Sequence, residues 1–306
     1  MNRLLFLFID GVGLASADPS RNPFAAAQTP FLRELLGGKL TAEQKERKGE
    51  VVLRRLDATL DHPGLPQSAT GQASLLTGTN CATVMGRHYG PWPGPTLRRL
   101  LERGTLFSEV VTAGGGALLA NAYPPGYFEA LRSGRAKSNV PVHSALRAGL
   151  ELADLGAYSR GEAIAADLTG EYFATVDSSL PVFGPQVAGE RLSRLARGAN
   201  FTFFDFWLSD RVGHRGSFHE AVRLVENLDR FMAGVADALD GLTLLITSDH
   251  GNLEDKGVKG HTRAPVPLLA IGPESFQFAG CASLLDVAPA VRRALTLPAG
   301  EPPGER

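Results

Sequence analysis

Short runs of apolar residues alternate along the chain with longer stretches in which apolar residues recur at helical spacing. The strand-like runs end in small or acidic residues. In chain order the segments that carry this pattern are Leu4 to Ile9, Pro30 to Leu36, Phe201 to Leu208, Phe218 to Leu239, Leu242 to Thr247, Val266 to Ile271 and Leu284 to Leu295. The alternation predicts an α/β fold, a layered sheet covered by helices, with the last of these segments as a closing helix.

Three aspartates each follow a predicted strand: Asp10, Asp210 and Asp249. Sheets of this class bind ligands at the carboxyl ends of their strands. We therefore expect the three carboxylates to lie at one edge of the sheet.

The middle of the chain, residues 88–198, is rich in proline and glycine and has a weaker pattern. We interpret it as an inserted cap over a core formed by residues 1–87 and 199–306. Thr96 to Arg103 has the pattern of an amphipathic helix that belongs either to the cap or to the core. The tail from Pro298 to Arg306 is expected to fray.

Composition narrows the class of protein without naming a substrate. The 306 residues are 43% hydrophobic and 21% charged, as in a globular protein with a sizeable core. With 31 basic and 32 acidic residues, the net charge of −1 does not favour a nucleic acid or an anionic membrane as partner. Cys81 and Cys281 form no CxxC pair, and the apolar run in MNRLLFLFIDGVG is too short for a signal peptide, so we expect a cytoplasmic location.

Separate segments supply the side chains that a site for two metal ions needs. They are Asp10 in FIDGVG, Ser68 in LPQSATGQASLLTG, Asp210 and His214 in SDRVGHRG, and Asp249, His250 and His261 in SDHGNLEDKGVKGH. Carboxylate and imidazole suit Zn²⁺, Mn²⁺ or Fe²⁺, and the lack of thiolate excludes a structural zinc finger. Two such ions about 3.5–4 Å apart clamp the attacking and leaving oxygens of a displacement at phosphorus.

Local geometry allows both neighbouring pairs to face one site. Gly251 favours a turn that brings Asp249 and His250 inward together. Asp210 and His214 have helical i, i+4 spacing, but the nearby glycines favour a strand-to-helix loop. In the loop that follows, Glu254 and Asp255 are expected to face solvent.

These motifs resemble those of the alkaline phosphatase superfamily, in its branch of cofactor-independent phosphoglycerate mutase and phosphopentomutase. FIDGVG resembles the N-terminal aspartate motif and SDRVGH the D-x-V-G-H segment. SDHGN followed by GHTRAPVP is similar to the paired DHGN and H-T-x-x-P-V-P motifs, and Ser68-Ala-Thr-Gly71 to the nucleophile turn. The resemblance implies an alkaline phosphatase-like core, a mainly parallel sheet between helices with a small inserted cap.

The resemblance also implies roles for single residues. One ion would be held by Asp210, His214 and His261, and the other by Asp10, Asp249 and His250 with Ser68 as its activated ligand. Ser68 would attack phosphorus and carry the phosphoryl group. This chain departs from the branch at Gln72, where histidine is usual, and in the short length of the inserted region.

Simpler interpretations stay open beside these roles. Asp10 alone would suit a turn cap and Ser68 a helix N-cap, and Thr70 is a rival nucleophile. Arg87 and His88 are candidate substrate contacts, as are the cap cations Arg132, Arg135, Lys137, Arg147 and Arg160. Dinucleotide, P-loop and nucleophile-elbow motifs are absent from the sequence, so a nicotinamide enzyme and an α/β-hydrolase have no support.

The sequence therefore predicts a metal-dependent phosphatase or phosphotransferase that works with two divalent ions, Mn²⁺ or Zn²⁺. Its partner is a small phosphorylated substrate, and Ser68 carries a phosphoserine intermediate. The alternatives are an intramolecular phosphosugar or phosphoglycerate mutase and, more remotely, a non-catalytic metal-binding protein.

Overall fold

The computed structural model describes residues 1–297, so the expected fraying of Pro298 to Arg306 lies outside the described residues. Within that range the strands are β1 (Leu4–Ile9), β2 (Arg47–Lys48), β3 (Val51–Leu56), β4 (Ala117–Leu119), β5 (Phe201–Phe206), β6 (Thr243–Thr247) and β7 (Val266–Ile271). They form one open sheet in the order β2-β3-β7-β6-β1-β5-β4.

The centre of the sheet is parallel. Strand β1 pairs in parallel with β6 on one side and β5 on the other, and every residue of these three strands is buried. Near-continuous apolar runs are typical of strands covered on both faces. Strand β7 runs antiparallel to both of its neighbours, β6 and β3.

Helices cover both faces of the sheet. They are α1 (Pro23–Ala26), α2 (Pro30–Leu36), α3 (Ser68–Thr77), α4 (Cys81–Met85), α5 (Pro95–Leu101), α6 (Leu106–Thr112), α7 (Pro125–Arg132), α8 (Val140–Arg147), α9 (Leu155–Arg160), α10 (Glu171–Val176), α11 (Pro185–Ala196), α12 (Leu208–Arg215), α13 (Phe218–Asp237) and α14 (Val287–Ala294). None of these helices combines the length and the apolar composition that crossing a membrane requires.

Alternate residues of the central strands enter two separate cores. In β1, Phe6 and Phe8 pack with α3, α5, α6, α8 and α14, whereas Leu5 and Leu7 pack with α1, α2, α11 and α13. This is the alternation of side chains that a pleated strand dictates. The predicted α/β class, a mainly parallel sheet between helices, is confirmed.

Part of the segment predicted as a cap, 88–198, belongs to the core. Strand β4 pairs with β5 inside the main sheet, and Leu97 and Leu101 of α5 are buried in the core beside α3. The stretch predicted as a helix at Thr96 to Arg103 therefore belongs to the core layers. Farther along the segment a small third cluster forms around Tyr158 and Phe173, apart from the main sheet.

Candidate active site

The three strand-end aspartates meet as the pattern predicts. Asp10 directly follows β1, Asp249 follows β6 by two residues, and Asp210 lies in the first turn of α12, just after β5. Because β6, β1 and β5 are adjacent and parallel, their carboxyl ends form one edge of the sheet. The backbone thus brings residues far apart in sequence into one site.

The prediction of a loop over Asp210 and His214 is wrong, because these residues lie on helix α12. His214 Nε2 lies 3.4 Å from Asp210 Oδ2, as i, i+4 spacing on one helical face allows. Gly213 serves close packing rather than ending the helix. A Cβ atom at this position would lie only 2.6 Å from the side chain of Asn252.

His261 reaches the same edge because it precedes β7, the strand that runs in the opposite direction. Its Nε2 atom lies 3.6 Å from Asp210 Oδ1 and 3.1 Å from His214 Nε2. Its Nδ1 donates to the carbonyl oxygen of Pro66 at 2.7 Å, which leaves the lone pair of Nε2 facing the other two side chains. Ligand atoms of these three residues lie within 4.8 Å of one another.

A second group of ligand atoms surrounds Nε2 of His250. This atom lies 3.0 Å from Ser68 Oγ, 3.3 Å from Asp10 Oδ1 and 3.5 Å from Asp249 Oδ2. Asp10, Asp210 and His250 also converge within 4.8 Å, so Asp210 belongs to both groups. The assignment of each carboxylate to one ion stays a prediction.

The electrostatics of the second group fit a bound cation. Burial, followed by the charge of Asp249, holds the pKa of Asp10 well above its usual range, and burial with the charge of Asp210 raises the pKa of Asp249 to about 8. Burial also lowers the pKa of His250 far below its usual value. Within residues 1–297 no lysine or arginine forms an ion pair with Asp10, Asp210 or Asp249.

Buried carboxylates without such partners are costly, and a divalent cation relieves that cost. The buried Asp10 Oδ1 atom also has no hydrogen-bond partner within the described part of the chain. The donor set, carboxylate and imidazole oxygens and nitrogens, is one that Zn²⁺ and Mn²⁺ accept. The residues therefore fit the metal ions that the sequence implies.

Ser68 is the first residue of α3 and is buried at the edge of the site. Gln67, not Ser68, holds the N-cap position, so the capping interpretation of Ser68 does not apply. The rival Thr70 is fully buried, and its hydroxyl donates to the carbonyl oxygen of Gln67 at 3.0 Å. Of these two hydroxyls, only that of Ser68 meets His250.

Two amide side chains that the metal-ligand pattern does not include hold the carboxylates in place. Gln72 Nε2 donates to Asp10 Oδ2 and to Asp249 Oδ2, both at 3.2 Å. Asn252 Nδ2 donates to Asp210 Oδ1 at 2.6 Å. Gln72 thus acts at the position where this chain departs from the related branch.

The prediction that Glu254 faces solvent is wrong. Its side chain is buried and its carboxylate accepts hydrogen bonds from Gly13 N at 2.9 Å, from Asn252 N at 2.7 Å and from the Thr262 hydroxyl. A Cβ atom on Gly13 would lie 2.6 Å from Glu254 Oε1. A Cβ atom on Gly251 would also lie too close to this oxygen, so glycine at these two positions is the sequence feature that accompanies the contact.

A cleft of about 1290 Å³ opens in front of the site. Besides the candidate ligands, its walls include aromatic rings and two cations, namely Trp92, Tyr123, Tyr127, Tyr172, Phe173, Trp207, Arg211 and Arg215. Arg87 and His88 are not part of this lining. The Arg87 guanidinium lies 5.4 Å from the centre of the Tyr89 ring, and the His88 ring packs edge-on against His62.

The cap cations predicted as substrate contacts are also absent from the described lining of the cleft, which takes its arginines from α12 instead. The sequence does not predict Arg211 and Arg215 as residues of the cleft. They lie in the segment SDRVGHRG, which is assigned to metal binding, and their spacing matches no substrate-binding motif.

Known proteins are similar to this chain in sequence and in fold. The sequence model of the Metalloenzyme superfamily matches residues 2–299. The 2,3-bisphosphoglycerate-independent phosphoglycerate mutase of Pseudomonas fluorescens is 39% identical over 98 residues, which are 29% of this chain and 19% of that enzyme. The chain thus matches about a fifth of the length of this curated relative.

Two solved structures have a similar fold at low identity. The alkaline phosphatase of the Antarctic bacterium TAB5 is 13% identical with a TM-score of 0.52 over 97% of this chain and 100% of that chain. The phosphoglycerate mutase of Leishmania mexicana is 13% identical with a TM-score of 0.51, over 98% and 96%. With the sequence-model match over almost its whole length, the chain belongs to the Metalloenzyme superfamily, and its fold is similar to that of alkaline phosphatase.

Proposed function

We propose that the chain hydrolyses or transfers phosphate esters through a phosphoenzyme on Ser68, with two divalent ions, Mn²⁺ or Zn²⁺. The observation that carries this proposal is the position of the Ser68 hydroxyl, 3.0 Å from His250 Nε2 and between the cleft and the ligand groups. A buried serine at the start of a ten-residue helix also has backbone N–H groups near the site of an anionic phosphoryl oxygen.

The residues present divide the chemistry among them. Divalent ions held by Asp210, His214 and His261, and by Asp10, Asp249 and His250, would supply positive charge to the phosphoryl oxygens. Ser68 Oγ bonds to phosphorus as the ester P–O bond breaks, and the serine proton ends on the departing alcohol. Water then cleaves the phosphoserine, which restores the hydroxyl and releases phosphate.

The shape of the site supports a hydrolase over an intramolecular mutase. A mutase must exclude water and hold a free intermediate, which requires an extensive lid with several fixed cations. Here the cleft is wide, and Arg211 and Arg215 are the cations among its described lining residues. The mutase stays the second candidate, because the curated relative of Pseudomonas fluorescens is named as one. A protein that only binds metal would not require a buried serine hydroxyl beside the metal-ligand groups, as Ser68 is here.

The products decide between the two reactions. We expect phosphosugars or 3-phosphoglycerate with Mn²⁺ or Zn²⁺ to yield free phosphate as the main product, measured by phosphorus NMR. Clean interconversion of isomers without phosphate release would assign the chain to the mutases.

Ser68→Ala tests the covalent route. This variant should keep the fold and at least one metal ion yet lose nearly all turnover. Wild-type protein quenched with substrate at low pH should carry the phosphoryl group on the Ser68 peptide, measured by mass spectrometry. A phosphoryl group on Thr70 would transfer the role of nucleophile to that residue.

A further inference from the structure

A further carboxylate, Asp205, lies in the cleft beyond the ligand groups. It follows Phe201 and Phe203 on the face of β5 that α3 covers. In the parallel register Asp205 lies opposite Phe8, two residues before Asp10. At about 3.3 Å per residue and about 4.8 Å between strands, the Cα atoms of Asp205 and Asp10 are roughly 8 Å apart.

One oxygen of the Asp205 carboxylate has no hydrogen-bond partner within the described part of the chain. The residue is only 2% exposed, and its Oδ2 accepts from Asn139 Nδ2 at 2.7 Å. Asn121 pairs with both backbone groups of Asp205, at 2.8 Å and 2.9 Å. Asp205 Oδ1 is buried and has no hydrogen-bond partner among residues 1–297. An acceptor that lacks a partner in such a place costs about 1–3 kcal/mol.

Two phenol rings line the same cleft as Asp205. Tyr123 and Tyr127 are stacked with centroids 4.7 Å apart and both line the cleft. Burial and the nearby charge of Asp205 raise the pKa of both hydroxyls, that of Tyr127 to about 12. Together with Asn139, which also lines the cleft, they give it a wall of hydrogen-bonding groups near Asp205.

This wall is separate from the metal centre. Among the described residues, the clusters of ligand atoms that converge within 4.8 Å contain Asp210, His214 and His261, or Asp10, Asp210 and His250, and neither contains Asp205. A lone carboxylate with amide and phenol neighbours suits a hydrogen-bond donor of a bound molecule better than an ion that needs several anionic ligands.

We propose that Asp205 binds a hydroxyl or ammonium group on the alcohol part of the phosphate ester and so selects the substrate. This inference rests on the proposed function, because it places the phosphate at Ser68. The spacing of roughly 8 Å between the Cα atoms of Asp205 and the candidate metal ligand Asp10 is comparable to the length of an alcohol of a few atoms. A simple alkyl ester would leave Asp205 Oδ1 without a partner, and sites built to bind a polar group discriminate strongly against analogues that lack it.

Three small phosphate monoesters test the inference with the full chain and Mn²⁺. Glycerol 3-phosphate presents hydroxyls, phosphoethanolamine presents an ammonium, and propyl phosphate presents neither. We expect kcat/KM of the wild type to favour at least one of the first two over propyl phosphate by about 10-fold or more, as one additional hydrogen bond implies. The preferred ester tells hydroxyl from ammonium.

Asp205→Asn should reduce that preference to about 3-fold or less while kcat/KM for propyl phosphate and the bound metal stay close to wild type. Asp167→Asn is the matched control. Asp167 also lines the cleft, but its carboxylate already accepts three backbone N–H groups, so its loss should leave the preference intact.

Several outcomes would overturn the role of Asp205. They are equal kcat/KM for all three esters in the wild type, a parallel loss on all three in Asp205→Asn, or the loss of a metal equivalent in that variant. If no ester is turned over, calorimetric titration of the same three compounds still tests the role of Asp205 through their Kd values. A donor preference in Kd that Asp205→Asn removes would support the inference while the proposed function fails, and equal Kd values would overturn it.

Discussion

At the scale of single residues, Glu254 joins three segments of the site. Its carboxylate binds the loop after β1 through Gly13, the loop after β6 through Asn252, and the segment before β7 through Thr262. Burial raises the pKa of Glu254, and the hydrogen bonds to its carboxylate oppose that shift. Glu254 therefore contributes to the shape of the site without contacting the reacting atoms.

Glu254→Ala should lower the free energy of unfolding by about 3 kcal/mol, because it leaves buried donors without an acceptor. Urea denaturation measures this change. The control is Asp255→Ala in the same loop. Asp255 forms a partly exposed ion pair with Arg21 at 2.9 Å, and its loss should cost less than about 1 kcal/mol. Similar losses in the two variants would contradict the joining role.

Residue types at short spacing are visible in the sequence, but their distant partners are not. The metal-ligand types could be predicted because Asp249 and His250 are adjacent and Asp210 and His214 share one short motif. Glu254 and Asp255 have the same chemistry side by side, and only the tertiary fold decides which one is buried. Gln72 likewise acts on Asp249, a residue 177 positions away.

At the scale of elements, helix α12 carries two candidate metal ligands, Asp210 and His214, and also packs closely at Gly213 against Asn252 in the loop after β6. Glycine in a helix interior usually costs about 1 kcal/mol relative to alanine. Only glycine fits at position 213, because Asn252 packs against the Gly213 backbone and donates a hydrogen bond to Asp210 from there.

Gly213→Ala should therefore weaken the site although it favours the helix. We expect the added Cβ to displace Asn252 and to reduce metal affinity and kcat/KM by about 10-fold, the effect of one lost hydrogen bond to a carboxylate. Gly126→Ala in α7 is the matched control, since within residues 1–297 no heavy atom beyond its chain neighbours and the backbone of its own helix lies within 4 Å of its Cβ position. That change should raise the free energy of unfolding by about 0.5–1 kcal/mol and leave metal affinity unchanged. Parallel effects would contradict the packing argument.

Helices and strands with a strong pattern of apolar and polar residues could be predicted from the sequence, and those with a weak pattern could not. Strands β1 and β7 and helix α2 match their predicted bounds because each is a clear apolar or amphipathic run. The apolar pattern of strand β3 is interrupted by Arg54 and Arg55, and β4 has only three residues, so neither strand has a distinct signal. The direction of β7 depends on its pairing partners and leaves no mark in its own sequence.

At the scale of the whole molecule, a near-neutral protein concentrates negative charge at one edge of its sheet. The overall net charge of −1 does not reveal the local cluster of carboxylates formed by Asp10, Asp210 and Asp249. Within residues 1–297, histidines are the only ion-pair partners of these carboxylates. Bound cations would stabilise the native state by mass action, because the unfolded chain has no such cluster.

Removal of metal should therefore affect both activity and stability. Chelation should abolish turnover and lower the Tm by about 5 °C, measured by calorimetry. His261→Ala should reduce the metal content of the purified protein, measured by elemental analysis, whereas His219→Ala on the exposed start of α13 should not. Unchanged metal stoichiometry in His261→Ala would remove the assignment of two sites.

The antiparallel direction of β7 also decides what holds the two sides of the site together. The connection from Asp249 to His261 leaves the sheet edge and returns to it, and its outermost residues, Gly257 to Lys259, are exposed. Each end continues into a strand, and these strands are neighbours in the same ladder. Backbone continuity across the tip is therefore dispensable in principle. A break in the chain there would leave His250 attached to β6 and His261 attached to β7.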